Sequence, residues 1–384
     1  MATGPRPLLF TPLAIRGVVL PNRVVISPMV QYGAVDGLAN DFHLVHLGAF
    51  ARGRAGTVFC ENTAVEPRGR VTHHDLGLWN DAQVAAFKPV VDFIHRQGSL
   101  AAIQIAHAGR KGSAQRAMDG NGALGDADAA KGFPPWETAG PTTDPMGPGW
   151  PAPRMLSTAE IAGLVEAFAT TAKRADRAGF DVCEIHGAHG YLIASFLSPI
   201  SNTRTDAYGG DRAGRMRFAL EIARAVRAAW PAGKPLFFRV SALDGADGWD
   251  LDDTVALAGE LKARGVDVVD CSSGGITGAA TAAPIPRGPG FQVPFASAVR
   301  RRAGVASMAV GLILDGPQAE AILQAGDADL VAIGRQALHD PFWALHAAQA
   351  LGCDPEFAMW PPEIGWWLEK RSKTLTLPAA KAAE

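Results

Sequence analysis

The segment Ser307–Leu338, SMAVGLILDGPQAEAILQAGDADLVAIGRQAL, decides the fold class of this 384-residue chain. It contains two short apolar runs, Ser307–Val310 and Leu330–Ile333, separated by a helical pattern that opens at Pro317 and ends by Ala325. Strands that are buried on both faces are apolar along their whole length. The segment therefore predicts two parallel strands joined by a helix.

Six further apolar runs precede this segment, and helical patterns separate most of them. The eight predicted strands are Val24–Ser27, Thr57–Cys60, Leu100–Ile105, Asp181–His186, Leu236–Val240, Val266–Ser272, Ser307–Val310 and Leu330–Ile333. This alternation predicts an α/β protein built as a single (β/α)8 TIM barrel over residues 1–370. A doubly wound open sheet is disfavoured because no G-x-G-x-x-G follows the first strands. A last barrel helix is predicted over Gln336–Leu351.

Two stretches lie outside this alternation. Residues 112–153, between the third and fourth strands, are rich in Gly, Pro, Asp and Ala, and so long a loop usually has a function. We expect this insertion to cover an active site, because barrel chemistry occurs at the loops that follow the strands. The C-terminal extension is expected to end in a flexible tail over residues 371–384.

Composition disfavours several classes of protein. Lys and Arg total 36 against 38 Asp and Glu, a net charge of −2, so we expect no nucleic-acid partner. No run of about 18 apolar residues is present, so we expect no membrane segment and a cytoplasmic protein. The cysteines form no C-x-x-C pair and predict neither a zinc ribbon nor an iron–sulfur cluster. They are Cys60, Cys183, Cys271 and Cys353.

The ends of the last two predicted strands resemble a phosphate site. Gly311 follows the seventh strand, and Gly334 and Arg335 follow the eighth. Barrels often bind phosphate between these two loops, where glycine allows close approach of the backbone and arginine can bind bidentately. The alternative is that the glycines only end the strands and the arginine is solvated.

Two polar side chains interrupt predicted barrel strands. Arg239 lies in FFRVS, and a buried guanidinium requires an anionic or polar partner. That partner could be Glu184 or Asp270 inside the barrel, or the electron-rich pyrimidine edge of a flavin ring. Gln104, in AIQIAH, could contact the same heterocycle through its amide.

A histidine pair follows the fourth predicted strand in the run EIHGAHGY, which contains His186, His189 and Tyr191. Two functions remain open for it. With a third ligand, the imidazoles could bind the metal of a hydrolase. Alternatively, both could donate to a carbonyl oxygen of a substrate while Tyr191, with an ordinary pKa of about 10, donates a proton.

The joined segment Glu184–Phe218, EIHGAHGYLIASFLSPISNTRTDAYGGDRAGRMRF, resembles the Old Yellow Enzyme family of flavin-dependent ene-reductases. The runs PNRVVISPM, IQIAHAGRK, FFRVSA, DCSSGG and ADLVAIGRQALHDPFW also fit the family, with order and spacing kept from about Leu8 to Ala348. The single-chain length and the His–His pair resemble its thermophilic-like, or YqjM-like, bacterial branch.

The resemblance implies an oxidoreductase that binds FMN noncovalently, accepts electrons from NADPH or NADH, and reduces a small activated alkene in ping-pong order. It implies that His186 and His189 bind the substrate oxygen, that Tyr191 protonates the α-carbon, and that Tyr32 touches the substrate. A homodimer or homotetramer is expected. The residues that the resemblance places against FMN are Ser27, Pro28, Met29, Val30, Asn62, Gln104, Arg239, Gly311, Gly334 and Arg335.

Three positions depart from the family pattern. Val30 stands where much of the branch has a flavin-side cysteine, and Asn62 stands where alanine is frequent. Ile364 stands where some relatives have an arginine that enters the neighbouring subunit's site. Trp366 or Trp367 could form a wall of that site, or could pack at an interface or in the core.

Overall fold

The computed structural model describes residues 6–245, 248–277 and 285–375. Eight parallel strands close into a barrel in which each pairs with its neighbours in chain order and the last pairs with the first. This closure confirms the predicted TIM barrel. The strands are β1 Val24–Ile26, β2 Thr57–Ala64, β3 Leu100–Ala106, β4 Val182–Gly187, β5 Leu236–Ser241, β6 Val268–Ser272, β7 Ala306–Val310 and β8 Leu330–Ile333.

Helices surround the barrel. They include α1 Asp41–Arg52, α2 Asp81–Arg96, α3 Thr158–Ala178, α4 Arg212–Ala229, α5 Leu251–Ala263, α6 Val293–Ala298, α7 Gly316–Gln324, α8 Arg335–His339, α9 Trp343–Ala350 and α10 Pro362–Leu375. Two further short helices are Asp126–Ala129, within the predicted insertion, and Leu192–Leu197, directly after Tyr191. The predicted single helix Gln336–Leu351 is wrong, because the chain breaks between α8 and α9. Asp340 is extended there, since the ring of Pro341 disfavours helical geometry in the residue before it.

Side-chain caps fix where many helices begin. At the start of α3 the hydroxyl of Ser157 accepts from the amide of Glu160, whose carboxylate accepts from the amide of Ser157. Such caps satisfy amides that have no partner within the helix. The other helix starts capped in this way carry Asn40, Asn80, Asp211, Asp250 and Asp315.

The barrel interior is layered. A hairpin of Leu13–Ile15 and Val18–Leu20 closes the amino end of the barrel. Above it lies an apolar layer that includes Ala102, Val182, Phe237 and Val268. Side chains two residues apart share a face of a strand, so the residues two positions further along these strands form the next layer. That layer is polar. It consists of Gln104, Glu184, Arg239 and Asp270.

The predicted insertion has structure of its own. Ala139–Gly140 pairs with Arg154–Met155, just beyond the predicted end of the insertion, and the segment packs on loops at the carboxyl end of the barrel. Thus Trp136 donates to the carbonyl of Arg68 after β2, and Thr142 to that of Ser201 after β4. Helix α10 includes residues 371–375 of the predicted tail, and 376–384 lie outside the described residues. Within the described residues, no helix is long and apolar enough to span a membrane.

Candidate active site

A cavity of about 530 Å³ opens at the carboxyl ends of the strands. Residues from the ends of β1, β5, β7 and β8 meet there, although they are far apart in sequence. Among the predicted site residues, those that line the cavity are Ser27, Pro28, Met29, His189, Arg239, Gly311, Gly334 and Arg335. A groove of about 820 Å³ between α4 and α5 is larger, but it lies outside the barrel and contains none of the predicted site residues.

One end of this cavity has the features of a phosphate site. Gly311 has a φ of +113°, a conformation that side chains other than glycine rarely adopt. A Cβ atom at Gly334 would meet only the sulfur of Met29, at 3.9 Å, so its backbone faces open space. Arg335 lines the same end and supplies positive charge. These groups suit a phosphate oxygen that approaches the backbone closely.

Arg239 joins the cavity to the polar layer below it. Its Nε lies 3.1 Å from Oδ2 of Asp270, and its Nη1 donates to Oγ of Ser27 at 3.1 Å. The guanidinium therefore has the barrel carboxylate partner that was one alternative from the sequence. It also lines the cavity, so the second alternative, contact with a heterocycle, remains geometrically possible.

The side-chain amide of Asn62 has no hydrogen-bond partner among the described residues. A bulge between Cys60 and Asn62 places Asn62 opposite Gln104 on β3. Asn62 is buried, yet neither polar atom of its amide has a partner among the described residues. Because buried polar groups are normally hydrogen-bonded, this pair of atoms suits a ring with an adjacent donor and acceptor. Gln104 uses its own amide N–H on Oε1 of Glu184, at 2.8 Å.

The two histidines and Tyr191 meet above β4. The ring centroid of His186 lies 5.2 Å from those of His189 and Tyr191. Burial and the positive charge of Arg239 lower the pKa of both histidines well below the usual range. Burial raises the pKa of Tyr191, which therefore keeps its proton. At neutral pH the cluster thus offers two neutral imidazoles and a protonated phenol.

A turn with left-handed backbone geometry sets the position of the His189 side chain. His189 has a φ of +61° and Gly190 of +70°, and Nε2 of His189 lies 2.7 Å from Oγ of Ser272. Nζ of buried Lys111, whose pKa burial lowers to about 7, donates to the carbonyls of His189 and Gly275, at 2.8 and 2.6 Å. The sequence analysis missed Lys111, although its place just after the third predicted strand was a usable signal.

We expect Gly190→Ala to destabilise the protein more than Gly210→Ala. Both glycines have φ near +70°, so each substitution costs about 1–2 kcal/mol in left-handed strain. A Cβ at Gly190 would also lie 2.1 Å from the carbonyl oxygen of Gly275, whereas Gly210 has no neighbour within 4 Å. The overlap should add about 1–3 kcal/mol in urea unfolding. Equal losses in both variants would contradict the described turn.

Tyr32 approaches the cluster from the loop after β1. It is half-buried with a φ of +58°, and an ionised Tyr32 would raise the pKa of Tyr191. The bulge residue Glu61 supports this loop by accepting from the amide of Gln31, at 3.1 Å. Burial raises the pKa of Glu61 to about 8. Val30, whose carbonyl accepts from the side chain of Gln31, lies in the same loop.

The cavity also contains residues that the sequence analysis did not single out. Gln292 donates to Oγ of Ser273 at 2.7 Å and lies 3.3 Å from Oγ of Ser272. Arg287 is exposed at the rim. In the part of the chain that the structure describes, no three His, Cys, Asp or Glu side chains are grouped as metal ligands.

Comparisons with known proteins agree with this geometry. Residues 8–353 match the NADH:flavin oxidoreductase / NADH oxidase family. The chain is 42% identical over 347 residues to an NADPH dehydrogenase of Halalkalibacterium halodurans, covering 90% of this chain and 95% of the relative. It is 43% identical over 349 residues to an NADPH dehydrogenase of Bacillus subtilis, with coverage of 90% and 96%.

Solved structures give the same result. Morphinone reductase superposes with a TM-score of 0.74 at 28% identity, covering 91% of each chain. An Old Yellow Enzyme homologue from Zymomonas mobilis has a TM-score of 0.71 at 22% identity, a likeness that shows the fold, with coverage of 87% and 90%. The metal-dependent hydrolase considered from the sequence has no support in these comparisons. The chain belongs to the NADH:flavin oxidoreductase family of FMN-dependent enzymes, the family of Old Yellow Enzyme.

Proposed function

We propose that this FMN-dependent oxidoreductase reduces the activated C=C bond of α,β-unsaturated carbonyl compounds with electrons from NADPH or NADH. The observation that carries the proposal is the cluster of His186, His189 and Tyr191, in which His189 lines the cavity and the other two rings pack together with it. Two imidazole N–H groups and one phenol suit a substrate that needs both a polarised oxygen and a proton on carbon.

The residues at the cavity fit FMN. Gly311, Gly334 and Arg335 of the cavity lining would hold its phosphate, and Arg239 of the lining would contact its ring. Asn62, whose amide has no partner in the described part of the chain, and Gln104 opposite it are not lining residues, but they are proposed to contact the ring as well. When bound, FMN supplies the two-electron transfer from nicotinamide to substrate. The remaining predicted contacts would come from the loop after β1, through Ser27, Pro28, Met29 and Val30.

His186 and His189 act on the carbonyl oxygen of the substrate. Their lowered pKa keeps them neutral, so each can donate one N–H to the negative charge that develops on that oxygen. Because these donors are fixed before reaction, each can contribute roughly 10²–10³-fold in rate. Polarisation of the carbonyl also makes the β-carbon electrophilic, so hydride is added to that carbon.

Tyr191 holds the proton that the α-carbon needs. Its raised pKa means that the phenol is fully protonated at neutral pH. Nζ of Lys111 lies 5.5 Å from the ring centroid of Tyr191, and burial lowers the pKa of this lysine to about 7. Tyr32, whose charge when ionised would raise the pKa of Tyr191, is proposed to contact the substrate.

We expect Arg335→Ala to weaken FMN binding by about 10–100-fold, because a hydrogen bond to a charged group is worth about 1.5–3 kcal/mol. Titration of apoprotein with FMN, followed by flavin fluorescence, measures this loss. Riboflavin has no phosphate, so its affinity should be the same in both proteins, and Arg217→Ala on α4 is the surface control. An FMN affinity unaffected by Arg335→Ala would remove the assigned phosphate role.

Isotope transfer tests the proposed activity. NADPH carrying deuterium at the transferred position is incubated with cyclohexenone, and the product is examined by mass spectrometry and NMR. We expect cyclohexanone with deuterium at the β-carbon and a solvent proton at the α-carbon. Cyclohexene, which has no carbonyl for the histidines, should not react. Consumption of NADPH by oxygen or quinones, with cyclohexenone recovered unchanged, would contradict the proposal.

We also propose that the enzyme acts in the cytoplasm as a homodimer or homotetramer. Trp366 and Trp367 on α10 are 51% and 68% exposed, and large aromatic side chains are typical of protein interfaces. Ile364 lies on the same helix. Light scattering after size exclusion gives the mass, and Trp366→Ala with Trp367→Ala should reduce it; a monomer would contradict this proposal.

A further inference from the structure

The polar layer of the barrel contains two acids for one cation. Glu184 and Asp270 are fully buried, and Arg239 is 6% exposed. Asp270 forms an ion pair with the guanidinium, its Oδ2 lying 3.1 Å from Nε of Arg239, although the geometry is not that of a hydrogen bond. Glu184 accepts one hydrogen bond, from Gln104, and its Oε2 has no partner among the described residues. Glu184 is therefore the acid that lacks a counter-ion.

The surroundings of Glu184 favour its protonated form. Burial and the negative charge of Asp270 raise the pKa of Glu184. The positive charge of Arg239 lowers this pKa, but by less than the other two effects raise it. His186, above it on β4, is neutral because its own pKa is lowered. The thiol of Cys183 is buried with a raised pKa and carries no charge. Below lies the apolar layer, which supplies no charge.

Arg239 connects this acid to the cofactor site. The guanidinium lines the cavity on one side and contacts the carboxylate of Asp270 on the other. A negative charge added in the cavity therefore competes with Asp270 and Glu184 for one cation. Inside a protein, where the dielectric constant is low, such competition between neighbouring charges is strong.

We propose that Glu184 is a proton-binding group linked to the flavin: it keeps a proton at neutral pH, and where it is ionised, reduction of the cofactor draws a proton onto it. Glu184 is a positioning residue in this account, since it acts on the cofactor through Arg239 and the shared charge balance.

The balance of the step is simple. Nicotinamide delivers two electrons and one proton to FMN, which leaves one extra negative charge in the cavity when no second proton is bound. With Glu184 protonated, no further proton is needed. With Glu184 ionised, the added charge raises its affinity for protons, and one proton from solvent converts the carboxylate to the acid. Uptake then rises from one to two protons per two electrons.

The test measures the midpoint potential of the FMN-loaded enzyme from about pH 6 to about pH 10. In wild type we expect a steep window, a pH range above neutrality in which the midpoint potential depends more strongly on pH. There its slope against pH increases from the value for one proton towards the value for two protons per two electrons. Glu184→Gln keeps the shape of the side chain but cannot ionise, so the part of the steepening that Glu184 contributes should be lost, while any contribution of Glu61 and Lys111 stays as in wild type. Glu166→Gln, an exposed position on α3, should behave as wild type.

Asp270→Asn provides a second, opposite test. Removing the charge of Asp270 leaves Arg239 free to stabilise ionised Glu184, so the steep window should move to lower pH. A residue with only a structural role would not move it. If Glu184→Gln fails to retain FMN, Asp270→Asn decides the question alone.

An identical window in wild type and Glu184→Gln would overturn the proposal, as would an unmoved window in Asp270→Asn. A wild-type slope of one proton throughout the range would overturn it equally. The potential is measured without any alkene, so these outcomes are independent of the proposed ene-reductase activity.

Discussion

Tyr191→Phe is expected to slow reoxidation of the reduced enzyme by cyclohexenone by about 10²–10⁴-fold, the usual contribution of a positioned general acid. Reduction of the enzyme by NADPH should change little, because that step needs no proton from Tyr191. The phenol is the group in the cluster with a proton to give, since the pKa of both histidines is lowered and they remain neutral. Stopped-flow absorbance of the flavin separates the two half-reactions.

Tyr208→Phe is the matched control for this measurement. Tyr208 is a tyrosine outside the cavity, where its hydroxyl donates to Glu221 at 3.0 Å. Its loss should leave both half-reactions unchanged. If Tyr191→Phe slowed both half-reactions equally, the assigned proton transfer would be wrong and a general distortion of the site would be indicated.

The double change His186→Ala with His189→Ala is expected to weaken binding of phenols, which mimic the substrate carbonyl, by at least about 100-fold. Two hydrogen bonds to an oxygen that bears charge are lost, each worth about 1.5–3 kcal/mol. FMN should stay bound, because the residues proposed to bind its phosphate, Gly311 and Arg335 among them, are unchanged. The charge-transfer absorbance of phenol on bound flavin reports the affinity.

Two further variants sharpen this result. His186→Asn with His189→Asn keeps one N–H donor at each position and should recover part of the affinity. His346→Ala, an exposed histidine paired with Asp340, is the control and should have no effect. Undiminished phenol affinity in the double alanine variant would remove the carbonyl-binding role of the pair.

The sequence predicted the barrel because its strands are short apolar runs whose length and spacing recur. Caps such as Ser157 with Glu160 are local, so they too can be read from sequence. The break before α9 was missed because the apolar pattern continues through it, and only Pro341 interrupts the backbone. Residues 112–153 could be predicted as an insertion, but their two-stranded pairing depends on contacts distant in sequence.

The site was predicted less completely, since its contacts depend on strand register. That Arg239 pairs with Asp270 follows from the alignment of β5 with β6, which places the two side by side. The bulge that sets Asn62 opposite Gln104 left no signal in the residue types. Lys111 acts through its tertiary contacts with the backbone of His189 and Gly275, so sequence alone indicated its position but not its partners.

The most direct test of the proposed function is the visible spectrum of the purified enzyme under anaerobic conditions. We predict a bound-flavin spectrum that bleaches on addition of one equivalent of NADPH and returns on addition of cyclohexenone. A flavin that bleaches with NADPH but stays bleached in excess cyclohexenone would contradict reduction of enones by the cluster of His186, His189 and Tyr191.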